Sequence, residues 1–169
     1  MRERDWDDER EDGDAAPSAR STGGTHAEER ALKELRTVYR QADAAYAPYS
    51  CPASGECCQL ATTRRQPWLW WPEWRLLARH PLPPPRADGG CPYLDAVGKR
   101  CTVYADRPFG CRTFFCGRIQ GPARQPAETV TALLVRLERL SQRLLPSLQG
   151  PRQLLDWHAE ALAQESEEE

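Results

Sequence analysis

No run in this 169-residue sequence approaches the roughly 20 uncharged residues that a membrane span needs. The N-terminus, MRERDWDDEREDGD, alternates charges where a secretory signal carries a short basic region and then an apolar core. Both absences predict a chain of the reducing cytoplasm with no membrane partner. Catalytic signatures are missing as well: no Ser/His/Asp set, phosphate loop, dinucleotide fingerprint or paired-carboxylate pattern occurs. There are three histidines. His26 lies at a helix start, His80 precedes a proline-rich connector and His158 follows Trp157, positions that suit surface or packing roles, with His80 near enough to the cysteines in sequence to be a spare ligand. No internal repeat is visible, and nothing supports a parallel sheet.

What remains divides by composition. Residues 1–24 carry eight acidic and four basic side chains and almost nothing apolar, so they cannot bury enough surface to offset the entropy of ordering, and a disordered charged tail is expected. Residues 25–46 open with Thr25 and Glu28, the two halves of a capping box, and then place Ala31, Leu32, Leu35, Val38, Tyr39, Ala42 and Tyr46 at helical spacing, the pattern of an amphipathic helix. Residues 126–163 predict a helical hairpin. Its first helix carries Val130, Leu133, Leu134, Leu137, Leu140, Leu144 and Leu145 on one face, and after Gly150 and Pro151 a shorter helix turns Leu154, Leu155, Trp157 and Leu162 inward. Residues 164–169 form an acidic tail.

Between these helices, residues 47–125 are rich in Pro, Gly, Cys and aromatics and show little periodicity. Trp68 to Trp71 predict a short buried strand, Pro72 suits the first position of a helix through Leu77, and PLPPPRADGG predicts an extended, turn-rich connector. The tryptophan cluster is better used in packing than in stacking nucleobases, since few cations flank it. The fold class expected is therefore mainly α, with an irregular, loop-rich, metal-stapled cysteine core and few or no short strands.

All seven cysteines, Cys51, Cys57, Cys58, Cys91, Cys101, Cys111 and Cys116, fall inside this region. In a reducing compartment such a set points to metal or redox chemistry rather than a disulfide framework, and the odd count agrees. Thiolates are soft ligands for zinc, iron and iron-sulfur clusters, and all seven are candidate ligands. The spacings after Cys91, Cys101 and Cys111 match neither a short ferredoxin run nor a zinc finger, so they do not choose the metal. Adjacent side chains in extended backbone point apart, so Cys57 and Cys58 are expected to serve two sites.

The same region holds eleven Lys or Arg against five Asp or Glu. Such a surplus ordinarily points to an anionic partner, but seven thiolates would offset it, which argues against nucleic acid. Arg107 and Arg112, within five residues of Cys111, are read as neighbours that lower thiol pKa and hydrogen-bond to sulfur, with an anionic-substrate site as the alternative.

The stretch CPYLDAVGKRCTVYADRPFGCRTFFC resembles the second half of the YkgJ-type cysteine-cluster family, a zinc- or iron-chelating domain of approximate pattern C-P-x-L, then C-x-[IV]-Y-x-x-R-P, then C-R-x-F-x-C. Cys91, Pro92, Leu94, Cys101, Val103, Tyr104, Arg107, Pro108, Cys111, Arg112, Phe114 and Cys116 occupy those positions. The family's first half reads C-x-x-C-G-x-C-C. Here CPASGECC keeps Cys51, Gly55, Cys57 and Cys58 but has Ser54 in place of the second cysteine. The resemblance covers Cys51 to Cys116 and implies metal chelation. Some relatives are labelled iron-sulfur oxidoreductases, and a similar cluster occurs in flagellin lysine methylases.

Two functional classes follow: a metal-stabilised binding module with a metal ion and a protein as partners, or an iron-sulfur oxidoreductase or transferase-like enzyme that uses an open metal position. Ser54 bears on both. Seven cysteines leave one of two four-thiolate sites a ligand short, so either that site keeps an open position or its metal is lost. Ser54→Cys is expected to raise the metal counted per chain if the second metal is lost, and to close the position at constant metal if the site is open. Unchanged stoichiometry and unchanged activity would remove Ser54 from the account.

Overall fold

The computed structural model describes residues 25–52, 54–97 and 100–168, so the charged tail expected over residues 1–24 lies outside the described residues. Among those described, helices α1 His26–Tyr46, α2 Leu60–Thr63, α3 Trp71–Leu77, α4 Phe109–Arg112, α5 Ala127–Leu144 and α6 Leu154–Glu168 are joined by loops and by two two-residue strands, β1 Trp68–Leu69 and β2 Arg152–Gln153. The chain is mainly helical, and among the described residues no helix is long and apolar enough to cross a membrane.

Thr25 is extended, and its Oγ1 accepts from the Glu28 amide at 3.2 Å, satisfying one free donor of the first turn of α1. The Glu28 carboxylate, the other half of the expected capping box, is taken up by an ion pair with Arg75 Nε at 2.9 Å. The predicted stripe is buried from Ala31 to Ala42, and Tyr46 is half-buried. It packs against Leu133, Leu137 and Leu140 of α5, with Leu76 and Phe109 completing that core. Full burial of each leucine contributes about 2 kcal/mol, so this apolar seam is the largest local reason for α1 and α5 to lie together.

The expected hairpin of the two C-terminal helices gives way to a different pairing. Helix α5 lies on α1, whereas α6 buries Leu154, Trp157 and Ala161 in a second core with Leu69, Trp74, Leu77, Tyr93, Leu94 and Val103. The Trp157 ring stacks on Trp74 at 5.9 Å, and its indole N–H donates to the Leu69 carbonyl at 3.4 Å. Strand β2 pairs antiparallel with β1, Trp68 opposite Gln153 and Leu69 opposite Arg152, and this pairing carries α6 to its place. The predicted Trp68–Trp71 strand is thus cut to two residues. Leu69 is buried but Trp68 is 54% exposed, and helix α3 already begins at Trp71 with Pro72 in its first turn.

The proline-rich connector has no regular structure as far as Arg86, turns over residues 86–89, and is held at two places. His158 is buried, and its Nε2 donates to the Pro83 carbonyl at 2.8 Å; burial lowers its pKa, keeping the ring neutral. Arg86 donates from one nitrogen to the Leu94 and Asp95 carbonyls at 3.0 and 2.8 Å and pairs through another with Asp88. His80 pairs with Asp106 at 2.9 Å, and His26 is exposed at the start of α1.

One buried carboxylate ties α1, α3 and α4 together at the edge of the first core. Glu73 is 1% exposed; its Oε1 accepts from the Tyr39 hydroxyl at 3.0 Å and from the Phe109 amide at 2.6 Å, and its Oε2 accepts from the Trp70 amide at 3.0 Å. Trp70 precedes α3 and Phe109 opens α4, so Glu73 supplies acceptors to two helix N-termini that have no intrahelical partner for those amides.

Burial pushes the Glu73 carboxyl up to about 7 from an ordinary 4.5, against the pull of its three donors and of nearby Arg112. A carboxyl whose folded pKa lies above its unfolded one contributes stability that is full below pH 4.5 and is lost as pH rises through about 7. The stability advantage of the natural chain over Glu73→Gln should therefore shrink from pH 5 to pH 8, by on the order of 3 kcal/mol in paired denaturant titrations. A difference independent of pH would mean that the three donors and Arg112 fully offset the burial.

Candidate functional site

Six of the seven cysteines, all but Cys116, line one cleft of about 1400 Å³ between the helical core and the loop region. Individual backbone contacts bring their segments together. Gly55, at φ 72°, sits in the left-handed region that glycine favours and starts a single 3-10 turn, Glu56–Cys58. Because that turn is not extended, Cys57 and Cys58 do not point apart: their sulfurs lie 4.0 Å from each other beside the same cleft, which corrects the expectation of one cysteine for each of two sites. The Cys91 amide donates to the Cys58 carbonyl at 2.8 Å. Just before it, Gly89 takes φ 66° and comes so close to Ala61 that a β-carbon would meet the Ala61 one at 2.9 Å.

Cys91 and Cys101 are held by a turn in which Leu94 bridges Cys101, the Thr102 amide donates to Tyr93 at 2.8 Å and the Asp95 amide donates to Arg100 at 2.9 Å. Cys111 comes from α4, the helix whose first amide Glu73 caps. Cys51 arrives separately: Ser50 and Gln120 exchange backbone bonds at 2.7 and 3.1 Å, laying the segment of Cys51 beside the segment that follows Cys116. No disulfide joins any of the seven.

Electrostatically, the thiols are crowded. Burial pushes Cys91 up to about 11, its sulfur being eased back by the Tyr93 amide, and burial likewise raises Cys101, where Arg107 pulls the other way. Cys111 can be touched by solvent from the cleft, yet so many atoms surround its sulfur that desolvation raises it well above the usual thiol range, with the charges of Cys91, Cys101 and Cys57 adding to the rise. Cys57 and Cys58 split in opposite directions. The bond from Cys58 holds Cys57 down, helped by Arg65, and the same shared proton with burial pushes Cys58 up. Five sulfurs, Cys57, Cys58, Cys91, Cys101 and Cys111, therefore lie within electrostatic reach of one another.

The two arginines of the sequence reading have other partners. Arg112, 7% exposed, donates to Asp43 at 2.6 Å, to the Arg107 carbonyl at 2.9 Å and to the Ala105 carbonyl, and its guanidinium lies 4.0 Å over the Tyr39 ring. Arg107 donates to the Tyr104 carbonyl at 2.9 Å and to Asp43 at 3.3 Å. Their bonds shape the loop that carries Cys101 and Cys111 and tie it to α1, while Arg107 reaches Cys101 through space. Asp43, Glu73 and Arg65 were not singled out by the sequence reading. For Glu73 a signal existed, a glutamate in the first turn after Pro72; Asp43 lies on an exposed helix face and Arg65 in a loop, and neither carries a pattern.

Among the described residues, no group of three or more His, Cys, Asp or Glu side chains is arranged to hold one metal ion as it stands. No family model matches the chain, and neither a curated protein nor a solved structure matches it.

The thiol environments can be ranked chemically. When metal-free, reduced protein is treated with iodoacetamide near neutral pH and mapped by peptide mass, Cys57 should be labelled first and Cys91 among the last, because the thiolate is the nucleophile. Arg65→Ala should slow Cys57 by removing a cation that favours its thiolate. Labelling of Cys91 at the rate of Cys57 would show that the cleft floor opens freely.

Proposed function

We propose that this chain is a cysteine-thiolate metal-binding protein of the YkgJ type, taking zinc or iron, an iron-sulfur cluster included, and acting in a reducing compartment as a metal-stabilised binding module. The observation that carries this reading is the convergence of Cys57, Cys58, Cys91, Cys101 and Cys111 on one cleft, the first pair being separated from the other three by more than thirty residues of loop and helix. Donor type fits: thiolates are the ligands that zinc and iron-sulfur clusters favour. Electrostatics fit as well. Neighbouring sulfurs raise each other's pKa, and a bound cation relieves that repulsion while its ligands lose their protons. Ligation requires the side chains to draw closer than they stand, so metal binding is coupled here to closure of the loop region.

In this reading Cys57, Cys58, Cys91, Cys101 and Cys111 supply the ligands, and the metal supplies cross-links that the short elements lack. The chain's own residues do the positioning: Glu73 fixes the start of α4, and Asp43 with Arg112 fixes the loop before it. Cys51, also on the cleft wall, and Cys116, outside it, lie on the segments joined by the Ser50–Gln120 bridge, and Ser54 stands where the family pattern has a cysteine.

One observation favours the second reading, an iron-sulfur oxidoreductase or transferase-like enzyme with an open metal position. Structural thiolate sites are closed, whereas these sulfurs line a cleft of about 1400 Å³.

Protein purified anaerobically should contain metal. A colourless zinc protein supports the binding module, and a brown protein with iron and acid-labile sulfide supports the enzyme. Cys91→Ser and Cys111→Ser should each lower the bound metal per chain, while Cys116→Ser should leave the metal of the cleft in place. Full-length protein that stays metal-free under both zinc and iron loading would overturn the reading.

A further inference from the structure

The cleft is far larger than a metal ion needs, and its walls differ from its floor. Five large apolar side chains are exposed on the described residues, and three of them, Trp68, Tyr104 and Leu134, line this cleft. Exposed apolar surface gathered in a concavity marks a binding site far better than the same residues scattered. Trp68 is also rigidly held, because its strand is paired with β2 and its neighbour Leu69 is fully buried.

The charges on the same walls are unequal in availability. Arg107 and Arg112 share Asp43. Arg65 and Arg100 also line the cleft, and among the described residues neither makes an ion pair. The Arg65 guanidinium carbon lies over the Phe114 ring, 3.1 Å from its centroid, a cation-π contact that holds the cation in place. Arg65 and Trp68 are three residues apart and both line the cleft, so a cation and a rigid aromatic platform belong to the same concavity.

We propose that the cleft binds a small organic anion carrying a flat ring, with the ring on Trp68 and the anionic group, a phosphate or a carboxylate, on Arg65 with support from Arg100. A ring alone gains stacking but leaves the guanidinium without a partner, and a bare anion gains the charge-assisted bond but leaves the apolar wall wet. Only the combination satisfies both. This site does not depend on the metal reading, since none of these residues is a proposed ligand.

The test is calorimetry on the full-length protein with AMP, 2-naphthoate, adenosine and inorganic phosphate, with metal content measured in every sample. At least one ring-bearing anion should bind about tenfold more tightly than adenosine and than phosphate. AMP leading identifies a phosphate, and naphthoate leading identifies a carboxylate. Arg65→Ala should remove the preference for the charged ligand, Arg65→Lys should keep part of it, and Trp68→Leu should weaken both ring anions; both positions are exposed, and thermal melts check that the variants fold. Ring anions that bind no better than adenosine, or a preference that survives Arg65→Ala, would overturn the proposal. The metal measurements keep the two readings apart, because loss of metal with intact ligand binding counts against the metal site alone.

Discussion

A carboxylate placed beyond the reach of water costs several kcal/mol unless donors surround it, and the architecture of this chain is organised around one such group. Glu73 takes a bond from α1 through Tyr39, from the start of its own helix through Trp70 and from the start of α4 through Phe109. Each of those donors would otherwise be stranded in the same low-dielectric interior, so the carboxylate and its donors are mutually required. Arg112 then lies against Tyr39 and reaches Asp43, closing a ring of contacts from α1 to α4 and back. Remove the acceptor and two helix starts lose their caps together, which is why one side chain can govern the position of Cys111, two residues after the capped Phe109.

Among its described residues, the loop region that holds the sulfurs has no comparable ladder of hydrogen bonds. Its order rests on single contacts placed at the right points: the Cys91–Cys58 backbone bond, the Leu94–Cys101 bridge, the Ser50–Gln120 pair and the Arg86 brace over residues 94–95. Contacts of this kind each contribute about 1 kcal/mol and do not reinforce one another as the rungs of a sheet do. A region built in this way is set by its ends. On one side is the α1–α5 seam with Glu73; on the other is α6, delivered by the β1–β2 pair so that Trp157 can stack on Trp74.

The long helices were legible because burial on one face leaves a periodic mark: Leu32, Leu35 and Val38 on α1, and Leu133, Leu137 and Leu140 on α5, are apolar at the spacing that helical geometry demands. Their partners were not legible. Periodicity says that a face is covered but not by what, so α5 and α6, neighbours in sequence with matching stripes, were assigned to each other when each had a larger apolar partner elsewhere. The cysteine region shows the opposite limit. Residue identity pointed to thiolate chemistry, but the side-by-side placement of Cys57 and Cys58 depends on the turn set by Gly55, which period-two reasoning cannot supply. Asp43 was invisible for a simpler reason: a charged residue on a helix face looks solvated until the arginines that claim it are brought there by the fold.

The charge of the cleft ties the two proposed ligands together. With its thiols protonated, the cleft presents Arg65 and Arg100 without carboxylate partners and is cationic. A divalent ion held by four thiolates leaves a net negative charge on the floor, which opposes an incoming anion at short range and low dielectric. Each thiolate withdrawn from the metal lessens that opposition, and a position left open on the ion turns it into attraction, since the anion can then meet the metal as well as the guanidinium. A site one cysteine short is in this respect better matched to an anionic ligand than a complete one. The number of cleft thiolates that a bound metal would take up and the unpaired arginine at position 65 are therefore two parts of one electrostatic question: the first would determine what charge the rest of the cleft can accept.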